Sequence, residues 1–319
     1  MVDGVLIIDK PAGLTSHDVV ARVRRILSER RVGHTGTLDP FATGVLVVLI
    51  GRATRLAQFL SNAVKEYEAT VRFGYATDTG DVTGARLESP RAQNTIEGSV
   101  HALDERGIEA ALDSLRGEIE QVPPMYSAKK VQGRKLYELA RRGVEVERAA
   151  VRVCVHEIEA VRRDGALLHR NEDGTYDLQL RVVCSAGTYI RTLAEVIGER
   201  MGMAAHLLSL RRTRAGDFRI EEAMSLDELK AKAEAGDVET IILSPDAALS
   251  QMPFVHLTMD EARRALHGIA LHLKSETETN WLDNEPVRMC DADGHLIAVG
   301  FYDAAAGTLH PRVVFSPEK

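Results

Sequence analysis

Val45 to Ile50 is an unbroken run of six apolar residues fenced by Gly44 and Gly51. Six residues is strand length rather than helix length, and no polar residue alternates within the run. Neither face of such a strand can meet water, so it reads as a central strand of a sheet covered on both sides. The rest of the chain has to supply that cover. With 319 residues and 45% hydrophobic content there is ample material for one large domain or two, which excludes intrinsic disorder.

Other segments show the period of two that marks half-buried strands. Tyr67, Ala69, Val71 and Phe73 alternate with Glu66, Glu68, Thr70 and Arg72. Val151, Val153 and Val155 form a second alternating set, and Tyr176, Leu178, Leu180, Val182 and Cys184 a third, with the turn Asn171-Glu172-Asp173-Gly174 between them. Val5 to Ile8 is a short apolar run stopped by Lys10-Pro11-Ala12-Gly13. Helical spacing of Val19, Val20, Val23, Ile26 and Leu27 predicts a helix capped by Ser16, with Arg22, Arg24 and Arg25 on its other faces. Further helices are expected near Ile108 to Arg116, from Ile190 to about Gly202, and after the capping box Ser225-Leu226-Asp227-Glu228. Glu88 to Asn94 looks like a surface connection. Strands and helices mix without strict βαβ alternation, so the expected class is α+β. From about Gln251 a helix around Glu261 to His267 and strands around Val287 to Met289, Leu296 to Phe301 and Val313 to Phe315 suggest a small β-rich second domain. The division expected is residues 1–250 and 251–319.

Charge and cysteine usage narrow the function. Forty Lys and Arg against 47 Asp and Glu leave a net charge of −7, which argues against a uniformly basic nucleic-acid binder but not against a basic groove. Acid is concentrated from residue 221 to 239, where seven acids face two lysines. Cys154, Cys184 and Cys290 are too few and too scattered for a disulfide framework or a Cys-rich zinc site. Cys154 and Cys184 read as buried strand thiols. Asp3 stands where a signal peptide would carry positive charge, and no apolar run approaches membrane-spanning length. A cytoplasmic protein is therefore expected. No Gly-x-Ser-x-Gly and no His-Glu-x-x-His occurs, so the motifs of acyl transfer and metal hydrolysis are missing.

Arg31 to Gly44 is the segment richest in chemical possibility: three glycines, His34 and a single carboxylate, Asp39, immediately before the buried strand. Pro40 restricts Asp39 to extended conformations. No Gly-Lys-Ser/Thr follows, so the glycines do not make a phosphate loop. On residue types alone, Asp39 capping a turn and His34 bonding to backbone account for this loop.

Residues His34 to Leu46 match the pattern HTGxLDPxATGxL, and on it the chain resembles the TruB family of tRNA pseudouridine synthases. The resemblance extends through Asp9-Lys10-Pro11-x-Gly13, Lys65-x-Tyr67, Met125 to Lys129 with Gly133-x-Lys135-Leu136-Tyr137-Glu138, Gly187 to Arg191, and Leu210-Arg211-Arg212, in family order from residue 4 to about 215. It implies a mainly antiparallel mixed sheet with flanking helices, and isomerisation of a tRNA uridine, normally uridine 55 in the TΨC arm, to pseudouridine. It implies no cofactor and no metal. Asp39 then matches the catalytic aspartate, as a nucleophile or as a base promoting elimination. Arg191 matches its partner arginine, which would hold the carboxylate ionised; on residue type alone it reads as a surface ion pair. Tyr67 matches the tyrosine that stacks on the target base, against the plain reading of a core residue.

The same resemblance places Tyr189 and Leu210 at the pocket, with core packing as the competing explanation, His34 against the RNA beside the flipped-out base, and Lys10 either on the loop or on RNA. A target base inside a structured arm must be extruded before chemistry. RNA contact is expected from two segments with a local charge of +4: residues 129–148, including Lys129 and Lys130, and residues 200–219, including Arg211. Such runs are otherwise solvated helix faces. Residues 125–150 resemble an insertion that folds over the tRNA arm, and residues 251–319 resemble PUA-like RNA-binding domains. A stand-alone monomer without guide RNA is expected. The guide-RNA-dependent branch and a tRNA folding aid that dispenses with Asp39 are the alternatives.

Overall fold

The computed structural model describes residues 3–87, 104–127, 129–131, 133–140, 142–272 and 280–315. The first strands are β1 (Gly4–Lys10), β2 (Val32–His34), β3 (Thr43–Ile50), β4 (Lys65–Phe73) and β5 (Gly117–Gln121). A small ribbon, β6 (Lys130–Val131) with β7 (Arg134–Lys135), precedes β8 (Val151–Val161), β9 (Leu168–Arg170) and β10 (Tyr176–Cys184). β11 (Ala205–Ala215) and β12 (Phe218–Arg219) complete this part. Its helices are α1 (Ser16–Leu27), α2 (Ala57–Leu60), α3 (Glu105–Asp113), α4 (Leu136–Ala140), α5 (Ile190–Arg200) and α6 (Leu226–Glu234).

Ten strands form one sheet in the order β1-β3-β11-β4-β10-β8-β5, with β2, β12 and β9 attached to β3, β11 and β10. β3 and β11 run parallel; the other paired strands of this sheet run antiparallel among the described residues. This is the mainly antiparallel α+β sheet expected, and the apolar run is indeed a covered strand, because Gly44 to Ile50 are all buried. Leu46, Val48 and Ile50 pack with Val19, Val20 and Val23 of α1 and Leu229 of α6, while Val45, Val47 and Leu49 pack with Val5, Ile7 and Phe218. The larger core lies between β4, β10 and β11 and the helices α3 and α5, with Phe73, Leu112, Leu180 and Ile197 inside.

The cap of α1 differs from the expectation. Thr15 is the N-cap and closes a capping box with Asp18; Ser16 begins the helix, and its buried hydroxyl donates to the Leu38 carbonyl and accepts from the Leu38 N–H. Ser16 therefore ties the helix to the Asp39 loop instead of to its own backbone. Cys184 is buried as expected, but Cys154 is only half-buried. The connection at Glu88 to Asn94 lies outside the described residues.

A second sheet follows, with β13 (Phe254–His256), β14 (Leu271–His272), β15 (Pro286–Cys290), β16 (Leu296–Asp303) and β17 (Thr308–Val314) in the order β13-β15-β16-β17-β14. Helix α7 (Met259–Leu266) covers it, burying Ala262 and Ala265 against Val287, Met289 and Leu309. The two parts share an apolar junction: Ala53, Leu56 and Leu249 meet Val299, Val313 and Phe315. Among the described residues, no helix is long and apolar enough to cross a membrane.

Candidate active site

Gly44 shows why the loop before β3 needs glycine. Its φ is +100°, and a Cβ there would stand 2.2 Å from the carbonyl oxygen of Arg212 on the neighbouring strand. Only glycine lets β3 and β11 close at this point. The loop is then held from three sides. Ser16 grips Leu38 as described. Lys10, fully buried at the end of β1, donates from Nζ to the carbonyls of Pro11, Leu14 and Pro40 at 2.9, 2.6 and 3.3 Å. Arg212, 2% exposed, donates from Nε to Val45 at 2.7 Å and from Nη2 to Gly36 at 3.0 Å.

Asp39, fixed between these anchors, meets Arg191 in a two-pronged ion pair, Nε to Oδ2 at 3.0 Å and Nη2 to Oδ1 at 3.2 Å. Arg191 enters from the first turn of α5 and is 4% exposed. Its guanidinium also reaches the buried Asp81 at 3.4 Å and the carbonyls of Thr79 and Tyr126 at 3.0 and 2.7 Å. Asp81 is held in turn by Thr79 and Thr83 hydroxyls and the Thr83 N–H. Burial pushes the Asp39 carboxyl above its ordinary value and Asp81 adds to the rise, while Arg191 opposes it. The expectation that arginine offsets desolvation is thus met only in part.

A pocket of about 380 Å³ opens beside Asp39, lined by Tyr67, Leu210 and Arg212 from the sheet, Tyr189 and Arg191 from the start of α5, and Ser127 and Lys65. Tyr67 is 8% exposed, and burial raises its phenol, so it is neutral near pH 7. The Tyr189 phenol is raised by burial too. Its backbone is clasped by the buried Gln121 side chain, which accepts from the Tyr189 N–H at 3.0 Å and donates to its carbonyl at 3.3 Å. Lys65 Nζ donates to the carbonyls of Ser61 and Ala63, and burial lowers it to about 8.

Several expected contributors stand elsewhere. Arg211 belongs to the opposite face of the sheet, because adjacent strand residues alternate; it pairs with Asp9 at 2.8 Å in a groove of about 1250 Å³ shared with Glu66, Glu68 and Arg214. Arg214 is likewise paired, to Glu66 at 3.0 Å, so two of the five arginines of segment 200–219 are neutralised within the protein. Lys10 is an anchor of the loop with no surface left for RNA. His34 lies outside the pocket lining, with its ring edge-on to His17 at 5.4 Å. Burial lowers it to about 4, so it is neutral at pH 7. Lys129 is half-buried and does not line the pocket, and the side chain of Lys130 lies outside the described part. Sequence reasoning missed Asp81, Gln121 and the inward Arg212. Only the Thr-Gly pairs around Asp81 hinted at a built turn.

For a metal, the described residues offer one candidate group, Asp291, Asp293 and His295. Asp293 and His295 are exposed and Asp291 half-buried, and Asp291 is engaged by the Asp293 and His295 N–H groups of its own turn. The group lies in the turn between β15 and β16, away from Asp39.

The family described as TruB family pseudouridylate synthase (N terminal domain) matches residues 24–190, a span that contains the loop, Tyr67 and Tyr189. The chain belongs to the TruB family. A second match, tRNA pseudouridylate synthase B C-terminal domain, covers residues 191–250. Among curated relatives, "tRNA pseudouridine synthase B" of Thermobifida fusca (strain YX) is 43% identical over 317 residues, 99% of each chain. The protein of the same name from Geobacillus thermodenitrificans (strain NG80-2) is 41% identical over 98% of this chain and 100% of its own. Among solved structures, the Cbf5-Nop10-Gar1 complex aligns with a TM-score of 0.71 and 27% identity over 98% of this chain and 85% of that one. An H/ACA RNP bound to a substrate RNA containing 2'-deoxyuridine aligns with a TM-score of 0.70 and 26% identity. The pseudouridine synthase fold and activity of this TruB-family chain follow.

Proposed function

We propose that this TruB-family pseudouridylate synthase converts uridine 55 in the TΨC arm of tRNA to pseudouridine, with Asp39 as the catalytic carboxylate. The observation that carries the reading is Asp39 itself: one carboxylate, rigidly held, paired two-pronged to a buried arginine at the edge of a pocket with Tyr67 and Leu210. Near-full-length relatives named for tRNA support the substrate.

The reaction moves the C1′ bond of the ribose from N1 to C5 of uracil. Asp39 either attacks C1′ or takes the C2′ proton, and the C1′–N1 electron pair leaves with the base. The base turns, C5 bonds to C1′ as Asp39 is displaced from C1′ or returns its proton to C2′, the C5 proton departs and N1 takes one up. Composition is conserved, so the step asks for no redox partner. Tyr67 stacks on the flipped-out base, Leu210 packs beside it, and Tyr189, steadied by Gln121, closes the wall. Lys129 and Lys130 of the 125–150 insertion, His34, and the 251–319 sheet domain supply the RNA contacts. The protein works as a monomer without guide RNA.

Transcript tRNA tritiated on C5 of uridine tests this with no guide RNA or cofactor added. Wild type should release about one equivalent of tritium per tRNA and Asp39→Asn none. No release by either protein, with tRNA binding intact, would refute the reading in favour of guided modification or a tRNA folding aid.

A further inference from the structure

Three arginines among the described residues are buried: Arg191, Arg212 and Arg288. Arg191 is paired with Asp39 and Asp81, and Arg288 with Asp246 at 2.7 Å. Arg212 has no carboxylate within ion-pair distance among the described residues, although it is the least exposed of the three. Its Nε and Nη2 are taken by backbone carbonyls, the guanidinium also hydrogen-bonds the Tyr67 hydroxyl, and no carboxylate is among its partners there. It sits directly across the strand pair from Tyr67 and lines the same pocket. Lys65, on the same strand face as Tyr67, is a second buried cation with carbonyl partners only. A buried charge without a counter-charge is costly, so a pocket carrying one is made for an anion that arrives later.

We propose that Arg212 is the counter-ion for the uracil anion released when the glycosidic bond breaks. The inference rests on the reaction proposed above, and holds for both routes of Asp39. Before cleavage the negative charge is on Asp39 beside Arg191. After it, Asp39 is a neutral ester or a neutral acid, and the charge is on the detached base, shared by N1 and the ring carbonyl oxygens. The charge has moved away from Arg191, and a second guanidinium beside the stacking tyrosine receives it in a site shielded from water. When C5 bonds to C1′ the charge returns to Asp39. A phosphate is the other anion the substrate carries, but phosphates stay at the rim of a base-flipping pocket, whereas Arg212 lines it at 2% exposure.

The test compares wild type, Arg212→Met and Arg212→Lys in single-turnover loss of the target nucleoside, read by digestion and mass spectrometry. One tRNA carries uridine at the target, the other 5-fluorouridine, whose fluorine stabilises the departing anion by induction. With uridine, Arg212→Met should be slowed about 100- to 1,000-fold, with tRNA affinity within about twofold of wild type, and Arg212→Lys should recover at least about tenfold. With 5-fluorouridine the Arg212→Met deficit should shrink to roughly tenfold. Equal deficits with both bases would reduce Arg212 to a staple between Gly36 and Val45 and overturn the proposal. Weakened tRNA binding with an unchanged single-turnover rate would assign it to a phosphate and overturn it equally. Absence of turnover by wild type would instead refute the proposed reaction itself.

Discussion

Replacing Arg191 with lysine keeps the charge and removes the geometry. The guanidinium makes two contacts to Asp39, one to Asp81 and two to the carbonyls of Thr79 and Tyr126. An ammonium on a longer, thinner stem cannot hold two carboxylates and two carbonyls at once. A hydrogen bond to a charged group is worth about 1.5–3 kcal/mol, so losing the fork to Asp39 removes about 3–6 kcal/mol before solvent is considered. The Asp39 side chain keeps 31% exposure, and water screens the pair, so a value discounted to about 2–3 kcal/mol is the better figure. At 1.36 kcal/mol per tenfold, the single-turnover rate of tritium release should fall roughly 30- to 150-fold. Freed from its partner, Asp39 should titrate higher still, so the acid limb of the pH–rate profile should move up in Arg191→Lys relative to wild type. Thermal melting followed by circular dichroism separates this from unfolding. A folded Lys variant that turns over within about threefold of wild type, with an unmoved acid limb, would refute the claim that the planar fork organises the carboxylate.

Other outcomes follow from the same geometry. If Tyr67 acts by stacking, Tyr67→Phe should retain most of the wild-type rate and Tyr67→Leu lose it; equal loss in both would give the role to the hydroxyl instead. Gly44→Ala should lower stability by at least about 2 kcal/mol, because its φ is +100° and its Cβ would strike the Arg212 backbone; an unchanged denaturant midpoint would contradict this. His34 is held down to about 4 from 6.5 by burial, so the unfolded chain binds its proton first. Its contribution to stability is whole above pH 6.5 and is lost as pH falls toward 4. His34→Gln should flatten stability across that interval, measured by urea titration at a series of pH values.

What could be read from the residues, and what could not, divides along physical lines. Val45 to Ile50 announced a covered strand because both of its faces are apolar, and Ser225 with Glu228 announced a helix start because the capping box is local chemistry. The Asp39 loop needed more. Residue types alone left Asp39 as a turn cap, and the resemblance across His34 to Leu46 raised it to a catalytic candidate. Arg211 and Arg212 stayed ambiguous because neighbours on a strand face opposite ways, and the string does not say which one points in. Irregular pairing around them, between Leu207 and Ser209 and between Arg212 and Arg214, adds to the difficulty. Asp81 was hidden for another reason. A turn rich in Thr and Gly looks like surface, and only the fold shows that α5 brings Arg191 against it. Gln121 and Tyr189 are likewise far apart in sequence, by 68 residues.

The junction between the two sheets bears on how the molecule comes apart. Ala53, Leu56, Val299 and Val313 are essentially inaccessible to water, Phe59 and Phe301 lie with ring centres 5.7 Å apart, and Arg55 donates to the Val314 carbonyl from across the chain. A bead on a flexible tether would melt by itself. Here the last strands help to seal the short helical turns that follow β3, so heat should disassemble both sheets in one cooperative event. Trimming the chain after residue 250 would strip apolar cover from Ala53, Leu56 and Phe59 in the turns that follow β3, some 200 residues away in sequence. The C-terminal part thus braces the turns through which the chain leaves the strand that follows the Asp39 loop.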